Sequence, residues 1–426
     1  MGEALKTSRL FHLAPLLVFG AVVHVYLAWV GTLPSQVNPY NDISLYGSWM
    51  QDLTHSASSI VAIPGISKPF VYPYPAVAPM LLAFLVGGGV AWQTTMNAWL
   101  ALISMANLIA VSALVNWGRG SAKAFTAAYY WLIFVGLLGP VALGRIDSVA
   151  TLFAIFGLVA LNQNRVRRAM ILFTMGAWMK IWPVAMAISL FVSDARRKAL
   201  AVTAAWTVVA VVALGLVLGM VLFGGGVDQI FGFVLTQNNR GLQIEAPAAT
   251  FWLWFAKFGL FDSSIYFDQG LLTNQIAGQG AFEVASLLTL AMAVAVAITV
   301  WLGVKAYRAG ADSKALFAVM GLTATLDLIV FNKVGSPQFE GWLAVPIVAG
   351  VLFGLRRWSF AVLGGLAIAL LTFLVYPVAY MDLMGLGWTS IGLLTARNVA
   401  LIVLLVWANL RLKQLGDQRP NDVALN

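Results

Sequence analysis

Ala199–Phe223 reads ALAVTAAWTVVAVVALGLVLGMVLF, 25 residues without a charge, entered directly from Arg196-Arg197-Lys198. A helix crossing the roughly 30 Å hydrocarbon core of a bilayer needs about 20 consecutive apolar residues, and this run exceeds that length. Lipid offers no hydrogen-bond partners to a bare backbone, so such a run must satisfy its own amides as an α-helix. Similar runs recur along the 426 residues, which are 61% hydrophobic and only 10% charged. Soluble chains average about 45–50% apolar and about 25% charged. The composition therefore predicts an all-α polytopic membrane protein with about ten to twelve transmembrane helices.

The absence of cysteine excludes disulfides and thiolate metal sites, and three histidines (His12, His24, His55) do not make a metal cluster. The first apolar run, Leu13 to Val30, lacks a small-residue cleavage site and reads as a retained span. The net charge of +9 is explained by topology rather than by nucleic acid. Loops left in the cytoplasm accumulate Lys and Arg. Seven clusters hold 18 of the 25 basic residues: Lys6/Arg9, Arg119/Lys123, Arg165/Arg167/Arg168, Arg196/Arg197/Lys198, Lys305/Arg308/Lys314, Arg356/Arg357 and Arg411/Lys413/Arg419. Placing all seven inside gives spans near 13–32, 91–117, 124–143, 147–164, 199–223, 281–303, 315–331, 339–355, 358–377 and 388–409, with both termini inside.

One segment resists this alternation. Residues 169–192 lie between two basic loops yet are too few to cross and return. A helix broken at Lys180-Ile181-Trp182-Pro183 accounts for both flanks, because proline removes a donor and bends the chain. Broken helices are tolerated where they line a cavity or are buried in protein. A single tilted span is the plainer alternative. Two long segments, 33–90 and 224–280, then fall outside. The apolar residues 76–86 and those around Phe251 are too short to span, and read as interfacial or re-entrant. No internal repeat is apparent, so 1–426 reads as one transmembrane domain with an outward-facing site.

Seven cations remain after the cytoplasmic clusters: Lys68, Arg145, Lys180, Arg240, Lys257, Lys333 and Arg397. A charge at membrane depth is costly and marks a functional site by default. Together they suit an anionic lipid head group such as a phosphate. The competing reading is internal pairing, for instance of Asp327 with Lys333 or Arg397. Among the acids Asp42 stands out, close after the first span and ahead of the aromatics Tyr46 and Trp49. Near a membrane, such a carboxylate can serve as a general base. The plainer reading is a helix cap, for which Asn41-Asp42-Ile43-Ser44 is well suited.

The order of motifs resembles the membrane glycosyltransferases of the C fold, and more narrowly glycosyltransferase family 87. The resemblance rests on Asp42-x-x-x-Tyr46-x-x-Trp49, Val71-Tyr72-Pro73-Tyr74-Pro75, Gly144-Arg145-Ile146-Asp147, Lys180-Ile181-Trp182-Pro183 and Arg240-Gly241-Leu242-Gln243-Ile244-Glu245 within the outer-loop run from Gln237. Asn332-Lys333-Val334-x-Ser336-Pro337-Gln338-Phe339 with Trp342 is similar to a motif of the first mannosyltransferase of GPI-anchor synthesis. Arg145 departs from the pattern, since the family usually has Gln there.

The resemblance implies a bundle with broken or re-entrant helices and two long outer loops, and an enzyme without a cofactor or metal. Its donor is a polyprenyl-phosphate sugar, a mannose by family analogy, and its acceptor a mannose-bearing glycolipid of the phosphatidylinositol mannoside and lipoarabinomannan type. The implied transfer is inverting and forms an α-(1→2) linkage. Asp42 is the implied base, and Lys333, Arg240, Arg397 and Lys180 are candidates for the donor phosphate. Asn41, Trp49, Tyr72, Tyr74, Arg145, Asp147, Glu245 and Gln338 are candidates for sugar and acceptor. The expected partners are donor, acceptor and membrane lipids, with no nucleic acid, and the expected location is a bacterial plasma membrane. An arabinose donor stays open on the residues alone. A transporter or flippase would explain a broken helix equally well, but not two long outer loops without paired half-domains.

Overall fold

The computed structural model describes residues 2–33, 37–55, 62–89, 92–118, 120–222, 227–235 and 240–417. Arg119, Gln237–Asn239 and Arg419, singled out above, lie outside the described residues. Among the described residues, seven helices are long and apolar enough to cross a membrane: Leu13–Thr32, Trp92–Trp117, Arg197–Leu222, Ala281–Arg308, Ser313–Val330, Ser359–Val378 and Trp388–Asp417. Shorter apolar helices occupy Tyr74–Val86, Ala122–Leu138, Ile146–Asn162, Val184–Ser193 and Pro337–Phe353. The chain is an all-α polytopic membrane protein, as its composition requires.

The predicted break is present. The helix Val166–Met179 ends at Lys180, whose backbone is extended (φ −154°, ψ 136°), and a new helix starts at Val184. Pro183 has no N–H to continue the ladder.

Contacts within the chain group it into two units: residues 1–132, 140–184 and 198–238, and residues 133–139, 185–197 and 239–426. In the first, the helix Ile146–Asn162 packs along Val166–Met179, and Trp92–Trp117 packs on Asn41–Thr54, Val77–Val86 and Ile146–Asn162. The Asn41–Thr54 helix is held at its start by Asn38, whose Oδ1 accepts from the Tyr40 amide at 2.8 Å. Its N-cap is Tyr40, with no side-chain capping bond. No side chain takes the cap role expected of Asn41-Asp42-Ile43-Ser44, and the Asp42 carboxylate pairs with Arg145 instead.

In the second unit Ser313–Val330 is the central helix, packed by Ala281–Arg308, Ala344–Phe353 and Trp388–Asp417. Asp312 caps it, accepting from the Ala315 amide at 2.8 Å. A window of this helix is 78% buried against 17% in Ala281–Arg308, which separates a core helix from one facing lipid. The segment 224–280, expected outside, departs from an all-helical reading within residues 242–277. Strands Leu242–Gln243, Thr273–Ala277 and Ser264–Asp268 form an antiparallel sheet in which Thr273–Ala277 is central. Asp268 closes the hairpin by accepting from the Gly270 and Leu271 amides.

Candidate active site

The first unit brings together Asp42, Tyr46, Trp49, Tyr72, Arg145, Asp147 and Lys180. Asp42, Tyr46 and Trp49 follow one another at four and three residues, a spacing that puts them on one face of the Asn41–Thr54 helix. Asp42 forms an ion pair with Arg145, the N-cap of Ile146–Asn162. The carboxylate side chain keeps 27% of its surface exposed while the arginine side chain keeps 9%. It is fixed in direction yet reachable.

Tyr46 sets the distance between the two helices, for its hydroxyl accepts from the Ile146 amide at 3.0 Å. Burial first, then Tyr72 and Asp42, raise its pKa well above that of an ordinary phenol. The hydroxyl stays protonated. Tyr72 is raised as well, by burial and then by Asp42 and Asp147, and bonds to Tyr46 through its side chain. Phe70, Tyr72 and Trp49 stand edge to face, with ring centroids 5.1–6.4 Å apart. Lys180, at the helix break, lies 4.9 Å over the Tyr72 ring and 4.0 Å from Asp147 Oδ2. The result is two carboxylates, two cations and an aromatic wall gathered within the first unit.

Other expected members are placed differently. Asn41 is exposed. Tyr74 points away into the fold, its hydroxyl donating to the Val211 carbonyl at 2.7 Å.

The second unit gathers Arg240, Gln243, Glu245, Lys333, Gln338, Glu340 and Arg397. The Gln243 amide donates to the Lys333 carbonyl at 3.0 Å, and Gln243 Nε2 donates to Glu245 Oε2 at 3.3 Å. Gly335 permits this approach, since a Cβ there would fall 2.1 Å from the Ala246 nitrogen. Lys333 is buried. Desolvation first, then the Arg240 charge, lowers its pKa. Two neighbouring cations, one of them desolvated, favour an arriving anion. Gln338 is half-buried beside them in sequence.

Arg397 is enclosed completely. It pairs with Glu340 at 3.3 Å, donates to Asn398 Oδ1 at 2.7 and 3.0 Å, and donates to the Glu245 carbonyl. Asp327, a candidate internal partner for Lys333 or Arg397, instead accepts from the Thr299 hydroxyl at 2.6 Å. Glu340, Gln243, Tyr46 and Phe70 were not among the expected site residues. For Tyr46 the signal was available in its four-residue spacing from Asp42.

Residues 70–260 match the model of glycosyltransferase family 87. The matched stretch contains Tyr72, Arg145, Asp147, Lys180, Arg240 and Glu245, while Asp42, Lys333 and Arg397 lie beyond it. No curated protein matches the chain. The match to family 87, together with the seven apolar helices, supports a multi-pass membrane glycosyltransferase.

Proposed function

We propose that the protein transfers mannose from a polyprenyl-phosphate donor to a mannose-bearing glycolipid, with inversion and an α-(1→2) linkage, at the outer face of a bacterial plasma membrane. The observation that carries the reading is the accessible Asp42 carboxylate oriented by Arg145 beside an aromatic wall. In the proposed step Asp42 takes the proton from an acceptor hydroxyl as its oxygen bonds to the anomeric carbon. The bond from that carbon to the donor phosphate oxygen breaks, and the electron pair leaves with the phosphate. Negative charge then grows on the departing group, which fixed cations stabilise most where water is excluded. Lys180 and Arg145 supply positive charge within the first unit.

Within the second unit, Arg240 and Lys333 are proposed to bind an anionic substrate group. Arg397 is assigned to holding the Glu245 loop, since its neighbours are all internal. Trp49, Phe70 and Tyr72 offer ring faces and edges on which a sugar can rest.

The test is transfer by the full-length purified protein, comparing radiolabelled mannosyl and arabinosyl polyprenyl phosphates. Label from the mannosyl donor should enter extractable glycolipid. Transfer from the arabinosyl donor alone would overturn the sugar assignment, and transfer from neither would overturn the enzyme. A tag near residue 60 should be labelled from outside and one after residue 426 from inside. The reverse result would remove the outward site.

A further inference from the structure

Away from these clusters, the first unit carries a groove of about 810 Å³ between the helices Val166–Met179 and Arg197–Leu216. Its lining is polarised along its length. Arg167 and Lys198 lie at one end, in the first turn of each helix. Ile171 and Met175 continue it on one side, and Val202 and Trp206 on the other. Among the described residues neither Arg167 nor Lys198 is in an ion pair, and no acid lines the groove. The nearby Asp194 is already paired with Arg196 at 2.7 Å.

From Arg167 to Met175 and from Lys198 to Trp206 is eight residues, or about 12 Å at 1.5 Å per residue. That is close to half of a roughly 30 Å hydrocarbon core. Trp206 is 68% exposed at that depth, whereas tryptophans facing lipid concentrate at the two interfaces. A groove with two unmatched cations at its mouth and apolar walls one leaflet deep has the charge and length of a lipid with an anionic head.

We infer that this groove binds one anionic phospholipid from the leaflet next to the basic loops, its phosphate between Arg167 and Lys198 and an acyl chain along Met175 and Trp206. Basic pockets between membrane helices recognise phosphate head groups in this way. The site is separate from the proposed chemistry and does not depend on it.

The test uses the delipidated full-length protein, titrated with phosphatidylglycerol or phosphatidylcholine and read by native mass spectrometry. Phosphatidylglycerol should bind at one per chain and at least tenfold more tightly than phosphatidylcholine. The double variant Arg167→Gln/Lys198→Gln should lose that preference. Ala210→Phe, which fills the groove without altering charge, should weaken both lipids. Arg168→Gln, on the same helix but not lining the groove, should leave binding unchanged. Equal retention of the two lipids, or equal loss with Arg168→Gln, would overturn the inference. Displacement of phosphatidylglycerol by polyprenyl phosphate at the same stoichiometry would overturn it too, by giving the groove to a donor lipid.

Discussion

Two buried arginines, one in each unit, pair with carboxylates that meet very different amounts of solvent. Arg145–Asp42 leaves its acid side chain 27% exposed. Arg397–Glu340 leaves 0% and 2% of its side chains exposed. The chemistry of the partners is the same, so exposure separates their roles. A sealed pair can only hold structure, and Arg397 does so by tying Glu340, Asn398 and the Glu245 main chain to one helix. An open pair can accept a proton or present a charge to something that arrives.

The comparison breaks most sharply at the sealed pair. Arg397→Ala should cost about 3–5 kcal/mol of stability, because it strands a buried carboxylate. Thermal unfolding of the purified protein would measure this. Pairing Arg397→Met with Glu340→Leu should recover part of the loss, since removing both charges removes the desolvation cost. A variant Arg397→Ala as stable as the parent would show that the pair carries no structural load.

The open pair should behave in the opposite way. Arg145→Gln should cost less stability than Arg397→Ala, because the carboxylate it leaves behind, Asp42, keeps contact with solvent. Its turnover should nevertheless fall by at least tenfold, with KM for donor little changed. Lys333→Ala should raise the donor KM by about tenfold, in line with about 1.5 kcal/mol for a charged hydrogen bond. The acceptor KM should stay within about twofold, and an equal rise in both would reassign Lys333 to structure. The smallest effect is expected from Trp49→Ala, a few-fold rise in acceptor KM, because an edge-to-face aromatic contact is worth about 0.5–1.5 kcal/mol.

Much of the fold was legible because lipid enforces a simple rule on apolar runs. The span expected at 199–223 corresponds to Arg197–Leu222, and the one at 315–331 to Ser313–Val330. The break at Lys180–Pro183 was legible from a proline between two basic loops. Other boundaries were missed for a physical reason. The helices ending at Arg308 and Asp417 run past the last apolar residue, since a helix need not stop where the hydrocarbon does.

The sheet at Leu242–Ala277 gave a weak signal. The strand Ser264–Asp268 is exposed at Ser264, Tyr266 and Phe267, so it lacks the alternation that marks a half-buried strand. In the site, local spacing revealed the face shared by Asp42, Tyr46 and Trp49. Nothing local could reveal that Arg397 meets Glu340, or that it reaches the carbonyl of Glu245, 152 residues away. Those partners are chosen by tertiary packing.

The central claim is that Asp42 is the base, and the most direct test is Asp42→Asn assayed for both mannosyl transfer and thermal stability in one preparation. The account predicts that transfer falls by about 10²- to 10⁴-fold while the unfolding temperature stays near that of the parent. Turnover close to the parent's, in protein that is equally stable, would contradict it.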